Sequence, residues 1–211
     1  MRLLLASNNA KKRRELETSL AGLGIEVVTP IEVGPLPPVD EDQPSFAGNA
    51  AKKAASAALA SGLWTLADDS GLEVDALDGE PGVRSARFAG RHGDDAANNA
   101  LLLERLAGLP PERRGARFVC ALALARPDGS LALEVEGTTR GRILDAPRGS
   151  GGFGYDPLFL FDEPGMLHLG RAFAELTPTE KSEVSHRGRA LRRLAGELAN
   201  QELRIGISPA T

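Results

Sequence analysis

Two adjacent carboxylates interrupt the apolar run Leu66-Ala67-Asp68-Asp69-Ser70-Gly71-Leu72, and any fold that buries this run must answer their charge. Like charges side by side repel, so where water is scarce a cation or a proton has to occupy such a site. The pair is therefore a candidate metal site. Alternation along a strand sends Asp68 and Asp69 to opposite faces, so only one of them can readily face a given cleft. Residues 64–67 read as a strand that delivers Asp68-Asp69-Ser70 as a turn. A strand end running into a polar turn is the plain alternative.

The rest of the chain alternates between strand and helix signals. Residues 3–6 form a strand, after which Ser7 or Asn8 can cap a helix over about 9–21 that carries Leu16 and Leu20 and stops at Gly22. Residues 25–28 make a second strand, and Gly34-Pro35-Leu36-Pro37-Pro38 then forbids regular structure before the acidic loop Asp40-Glu41-Asp42. The alanine-rich stretch 45–60 predicts a helix, because alanine loses no side-chain entropy there. Residues 78–87 read as an irregular loop and 94–106 as a helix closed by Gly108 and Pro110. Strands at 117–125 and 131–135 flank Pro127-Asp128-Gly129-Ser130, which predicts an antiparallel hairpin that supplies a second lobe. A glycine cluster at 149–157 precedes the apolar residues 158–161, and a closing helix at 185–198 carries His186, Arg187 and Arg189 near its start. These units predict an α/β fold: a mixed, elongated central sheet with flanking helices, two lobes around an active-site cleft, and one domain over residues 1–211.

Charge and composition exclude several classes. A formal net charge of -4 leaves no global basic field, so nucleic acid is not an expected partner. No run approaches the ~18 apolar residues of a membrane span. The apolar Leu3-Leu4-Leu5-Ala6 gives way to Ser7-Asn8-Asn9 too soon for a signal sequence, so a cytoplasmic protein is expected. Cys120, the only cysteine, lies in Phe118-Val119-Cys120-Ala121-Leu122 and reads as a small core hydrophobe.

Four constellations can carry chemistry. Ser7-Asn8-Asn9-Ala10-Lys11-Lys12, between a strand and a helix, offers backbone N–H groups, a positive helix end and the side chains of Ser7, Asn9 and Lys12 to a phosphate. It lacks the glycine spacing of a Walker loop or a dinucleotide fingerprint, and a plain helix cap explains it equally. Asp69 and Glu41 can meet across a sheet as oxygen ligands for Mg²⁺, and one of them can then deprotonate an attacking water. Gly151-Gly152-Phe153-Gly154-Tyr155-Asp156-Pro157 lets backbone approach a flat ligand, with Phe153 or Tyr155 as a stacking ring. Glu180-Lys181-Ser182-Glu183-Val184-Ser185-His186-Arg187 supplies an ammonium, an imidazole and a guanidinium suited to purine oxygens or phosphates.

Taken in order, these segments resemble one family. Ser7-Asn8-Asn9-Ala10-Lys11-Lys12, Phe46 with Asn49-Ala50 and Lys53-Ala54, Asp68 to Leu72, Pro81-Gly82 with Ser85-Ala86-Arg87, Gly152 to Pro157, and Glu180-Lys181-Ser182 with Ser185-His186-Arg187 follow the pattern of the inosine/xanthosine triphosphate pyrophosphatases. The resemblance implies Mg²⁺-dependent hydrolysis of ITP, dITP and XTP to the monophosphate and pyrophosphate, by a homodimer. It implies that residues Ser7 to Lys12 hold the triphosphate, that Asp69 is the metal-linked general base with Ser70 beside it, and that Glu41 or Asp40 is the second metal carboxylate. Phe153, Gly154, Tyr155, Asp156, Lys181, His186 and Arg187 match positions that contact the nucleotide, chiefly its base. The chain departs from the commoner Thr-Gly-Asn and Glu-Asn-Ala by having Ser7-Asn8-Asn9 and Gly48-Asn49-Ala50. A pyrophosphatase of modified pyrimidine triphosphates and a non-catalytic nucleotide or RNA-binding module are the competing readings. The second is disfavoured because Asp69 and Glu41 repel phosphate unless a metal is present.

Overall fold

The structure, a computed structural model, describes residues 1–205, and the side chains of residues 1–200. Residues 206–211, the end of the domain expected from the sequence, lie outside the described residues. Strand β1 (Arg2–Leu5) buries Leu3, Leu4 and Leu5 and pairs in parallel on both edges, with β2 (Glu26–Val28) and with β3 (Trp64–Val74). Helix α1 (Ala10–Ser19) connects β1 to β2, whereas α2 (Pro30–Val33) and α3 (Phe46–Ser61) lie between β2 and β3. The chain therefore leaves β1 toward one neighbour and returns on its other side. Such a switch opens a crevice beyond the carboxyl ends of the strands, which is where open α/β sheets hold ligands.

Three local expectations change here. The cap of α1 is Asn9, whose side chain accepts from the N–H groups of Lys11 and Lys12, so Ser7 and Asn8 stand outside the helix. That helix ends at Ser19, and the N–H of Leu20 closes back on Leu16 O at 2.9 Å. Strand β3 runs on to Val74, so Asp68-Asp69-Ser70 lies within a strand and is not a turn. Lysines from two helices meet the two carboxylates, and this compensation lets the backbone stay in the sheet.

Beyond β3 come α4 (Asp95–Arg105), β4 (Gly115–Ala125), β5 (Leu131–Ile143), β6 (Phe159–Phe161), α5 (Pro178–Val184) and α6 (His186–Ile205). The sheet is six-stranded and mixed, in the order β2-β1-β3-β4-β5-β6, with β5 and β6 antiparallel. Residues Gly82–Arg87 form a 3-10 helix inside the segment expected to be irregular. The hairpin turn is closed by the N–H of Arg126 on Ser130 O at 2.8 Å. Strand β5 extends eight residues past the predicted Val135, through residues 136–143, which are mostly polar or glycine and give no apolar alternation to read. Gly141 is required there: a Cβ would strike Leu160 O and the Phe159 ring of the paired β6.

The chain divides into two compact units. The first holds Met1–Asp69, Ala121–Glu136 and the chain from Ala190 onward, and the second holds Ser70–Cys120 and Gly137–Arg189. The hairpin is thus not the property of a second lobe, since its turn end belongs with the N-terminal strands. Each unit has its own core. In the first, Leu4, Val28 and Ala57 pack with Ala6, Val33, Leu36 and Leu63. In the second, Phe118 and Phe173 each lie within 5 Å of the Phe159 ring, at centroid distances of 4.6 and 4.8 Å. Buried Arg114 ties that unit together by donating to the carbonyls of Leu106, Ile143 and Leu144. Cys120 is buried as expected. Among the described residues no helix is long and apolar enough to cross a membrane.

Candidate active site

In the first unit the register Leu5↔Leu66 puts Asp68 and Asp69 just past the carboxyl end of β1, beside the loop that leads into α1. Alternation then separates the two acids. Asp68, almost fully buried, accepts from Lys12 Nζ of α1 at 2.8 Å. Asp69 turns instead to α3, where Asn49 Nδ2 donates to one carboxylate oxygen at 3.1 Å and Lys53 Nζ to the other at 3.2 Å. Asn49 and Lys53 are four residues apart on one helix face, and this spacing lets a single strand carboxylate receive both.

The same Lys53 ammonium donates to Glu41 at 2.8 Å. Of the three acids in the loop, Glu41 is therefore the one that shares a cation with Asp69. Lys52 secures the neighbouring residues by donating to Asp40 O and to the Asp42 carboxylate. The N–H of Gln43 donates to Asn49 Oδ1 at 3.0 Å. Gly48 allows this close approach, because a Cβ there would sit 2.9 Å from Gln43 Cβ. Burial pushes the Asp69 carboxyl above its ordinary range, with Lys53 and Asn49 opposing and Glu41 adding to the rise. Burial would lower Lys53, but Asp69 and Glu41 outweigh it and hold the ammonium charged.

Two carboxylates converging on one cation also suit a divalent metal that takes its remaining ligands from water or phosphate oxygens. Among the described residues no three His, Cys, Asp or Glu side chains gather, so the donor set is an open pair and not a closed cage. The first turn of α1 is already engaged: Asn9 caps Lys11 and Lys12, the N–H of Asn9 donates to Ser7 Oγ, and Asn8 Oδ1 accepts from the N–H of Ile31. Ala10 opens α1, and its neighbour Lys11 is exposed.

In the second unit the glycine-rich loop is held by its own acid. The Asp156 carboxylate, buried, accepts from the N–H of Phe153 at 2.8 Å and from Lys181 Nζ at 2.5 Å. A Cβ at Gly152, whose φ is +75°, would collide with that carboxylate. Of the two aromatic rings, Tyr155 is buried with its hydroxyl donating to Ser85 O at 2.9 Å, while Phe153 is 52% exposed. Phe153 is thus the ring that can stack on a ligand, and Lys181 Nζ lies 4.8 Å from its centroid. His186 is buried with its ring stacked on Phe118 at 4.7 Å, and half-buried Arg187 follows it in α6. Beside Asp69 in sequence, the buried Ser70 Oγ meets no hydrogen-bonding partner among the described residues.

Asn49 and Lys53 carry the family resemblance without a role read from the sequence, and Asp95 and Asn99 have no role read from it either. The last two grip Gly154 by both backbone groups: its N–H donates to Asp95 Oδ2 at 2.7 Å, and its carbonyl accepts from Asn99 Nδ2 at 3.0 Å. A signal was present, because asparagine is a poor helix former and Asn98-Asn99 sits inside an alanine- and leucine-rich helix.

The profile of the Ham1 family matches residues 3–197. The chain belongs to the Ham1 family. This Ham1 chain is 50% identical over 205 residues to a Corynebacterium diphtheriae protein named dITP/XTP pyrophosphatase, with 94% of this chain and 97% of that one covered. Its fold is similar to the HAM1 protein of Coxiella burnetii, with a TM-score of 0.86 and 39% identity over 95% of this chain and 99% of that one. It is also similar to the Mycobacterium abscessus nucleoside-triphosphatase / dITP/XTP pyrophosphatase, with a TM-score of 0.76 and 51% identity over 92% and 98%. The mixed six-stranded sheet with flanking helices is the architecture shared across these Ham1 structures.

Proposed function

We propose that the chain is a pyrophosphatase of deaminated purine nucleoside triphosphates, acting on ITP, dITP and XTP with Mg²⁺ and releasing the monophosphate and pyrophosphate. The observation that carries this reading is half-identity, over nearly the whole chain, to proteins named dITP/XTP pyrophosphatase. The site chemistry supports it. Hydrolysis of a phosphoanhydride needs positioned phosphates, neutralised charge and an oriented water, with no covalent enzyme intermediate.

Asp69 is the general base: its raised pKa brings a carboxylate nearer the working range of proton abstraction. Glu41 and Asp69 would hold the metal, which when bound supplies charge neutralisation for the phosphates. Lys11, Lys12 and Lys53 carry positive charge toward the triphosphate, and Ser70 Oγ offers a buried hydroxyl beside the base. Phe153 stacks on the purine, while Asp156 and Lys181 hold its loop in place. His186 and Arg187 reward a 6-oxo acceptor and penalise a 6-amino donor, because an unpaired donor in a partly dry pocket costs about 1–3 kcal/mol.

We further propose that both units act as one catalytic domain, in a cytoplasmic homodimer. Sedimentation equilibrium tests the dimer. The activity is tested by pyrophosphate release from ITP, dITP, XTP, ATP and a modified pyrimidine triphosphate, with Mg²⁺ and with chelator. Release from the deaminated purines alone, lost with chelator, is expected. Asp69→Asn should cut turnover about a hundredfold or more, the usual contribution of a general base. Equal rates on ATP, or full activity of Asp69→Asn, would overturn the reading.

A further inference from the structure

Lys53 lies between Glu41 and Asp69, the two carboxylates that would hold the metal in the function proposed above. Its ammonium bridges Glu41 at 2.8 Å and Asp69 at 3.2 Å, with its side chain only 18% exposed. A divalent ion neutralises both carboxylates and an ammonium only one, and the two cations cannot share the space without repelling each other. We propose that Lys53 is an internal counter-ion that competes with the metal, so that metal and triphosphate each bind more tightly when the other is present. This inference rests on the function proposed above.

The physical basis is a three-way exchange. Without nucleotide, Lys53 has no better anion than Glu41 and Asp69, and entry of a divalent ion strips it of both. A triphosphate changes the balance, because its oxygens offer the displaced ammonium a new partner and offer the metal further ligands. The four-carbon lysine stem permits such a swing. Metal and nucleotide are then linked through one side chain, and each raises the affinity for the other by the same factor. Lys12 does not share this role, because its partner is Asp68, on the other side of the strand from Asp69.

The test uses metal alone on the nucleotide-free protein, so its outcome is independent of turnover. Mn²⁺ and Mg²⁺ are titrated calorimetrically into wild type, Lys53→Met and Lys53→Arg. Lys53→Met should bind Mn²⁺ at least about tenfold more tightly than wild type, and Lys53→Arg, which keeps the cation, should stay close to wild type. Equal or weaker binding by folded Lys53→Met would overturn the proposal. A second measurement needs no variant: acylation of Lys53 in wild type by an N-hydroxysuccinimide ester, read by peptide mass spectrometry. Millimolar Mg²⁺ should raise Lys53 labelling severalfold relative to exposed Lys11, and unchanged labelling at a Mg²⁺ concentration shown to bind would equally sink the idea. Pyrophosphate release from ITP by the same wild-type preparation separates failure here from failure of the function itself.

Discussion

Asp68 and Lys12 show how one cation can be tied to the fold as well as to the proposed chemistry. Besides the triphosphate role proposed above, Lys12 has its Nζ 2.8 Å from a carboxylate whose side chain is 6% exposed. Removing it leaves the Asp68 carboxyl poorly solvated and without that cation. Lys12→Ala should therefore destabilise the fold by about 2 kcal/mol, below the full cost of breaking a buried pair because Lys12 itself is partly exposed. Adding Asp68→Asn should recover most of that loss in a urea titration. If the double variant is no more stable than Lys12→Ala, the pair is not what anchors the start of α1 to β3. The Asp69 carboxylate differs, since both its partners, Lys53 and Asn49, come from α3.

Two helices set the geometry of the glycine-rich loop at residues 149–157, and each makes a separate prediction. Helix α4 holds Gly154 through Asp95 and Asn99, so Asn99→Ala should loosen Phe153 and raise KM for ITP about three- to tenfold, the worth of one hydrogen bond, with kcat little changed. A proportional fall in kcat at unchanged KM would place Asn99 elsewhere in the mechanism. Helix α5, which carries Lys181, is capped by a reciprocal pair: the N–H of Thr177 donates to Glu180 at 2.7 Å, and Thr177 Oγ1 accepts from the N–H of Glu180. The Thr177 amide and then Arg171 hold the Glu180 carboxyl down at about 2 from an ordinary value of 4.5. Because the folded value is the lower one, the stabilisation is present above pH 4.5 and is lost as pH falls toward 2. Glu180→Gln should thus lower Tm at pH 7 and flatten the fall in Tm across that acid window. Parallel Tm curves for the two proteins would show that the cap does not couple to pH.

For the whole molecule, β3, β4 and β5 each pass through both compact units, so neither unit owns a complete set of strands. One cooperative transition is expected on denaturation. The chain contains a single tryptophan, Trp64 in the first unit, and a single tyrosine, Tyr155 in the second, which gives each unit its own probe. Trp64 fluorescence and the Tyr155 near-ultraviolet signal should change at the same urea concentration, and separated midpoints would mean independent units. What the sequence determined by itself was local. The leucine run of β1, the alanine-rich α3, the turn at residues 126–130 and the opposite facing of Asp68 and Asp69 follow from period, propensity and turn chemistry over a few residues. Tertiary structure alone decided that β3 continues through two charged residues, that Glu41 and not Asp40 meets Lys53, and that Asp95 and Asn99 reach Gly154. The reason is that burying a charge or orienting a loop depends on partners distant along the chain. Lys12 lies 56 residues from Asp68, and Asn99 lies 55 from Gly154, beyond the reach of any local pattern.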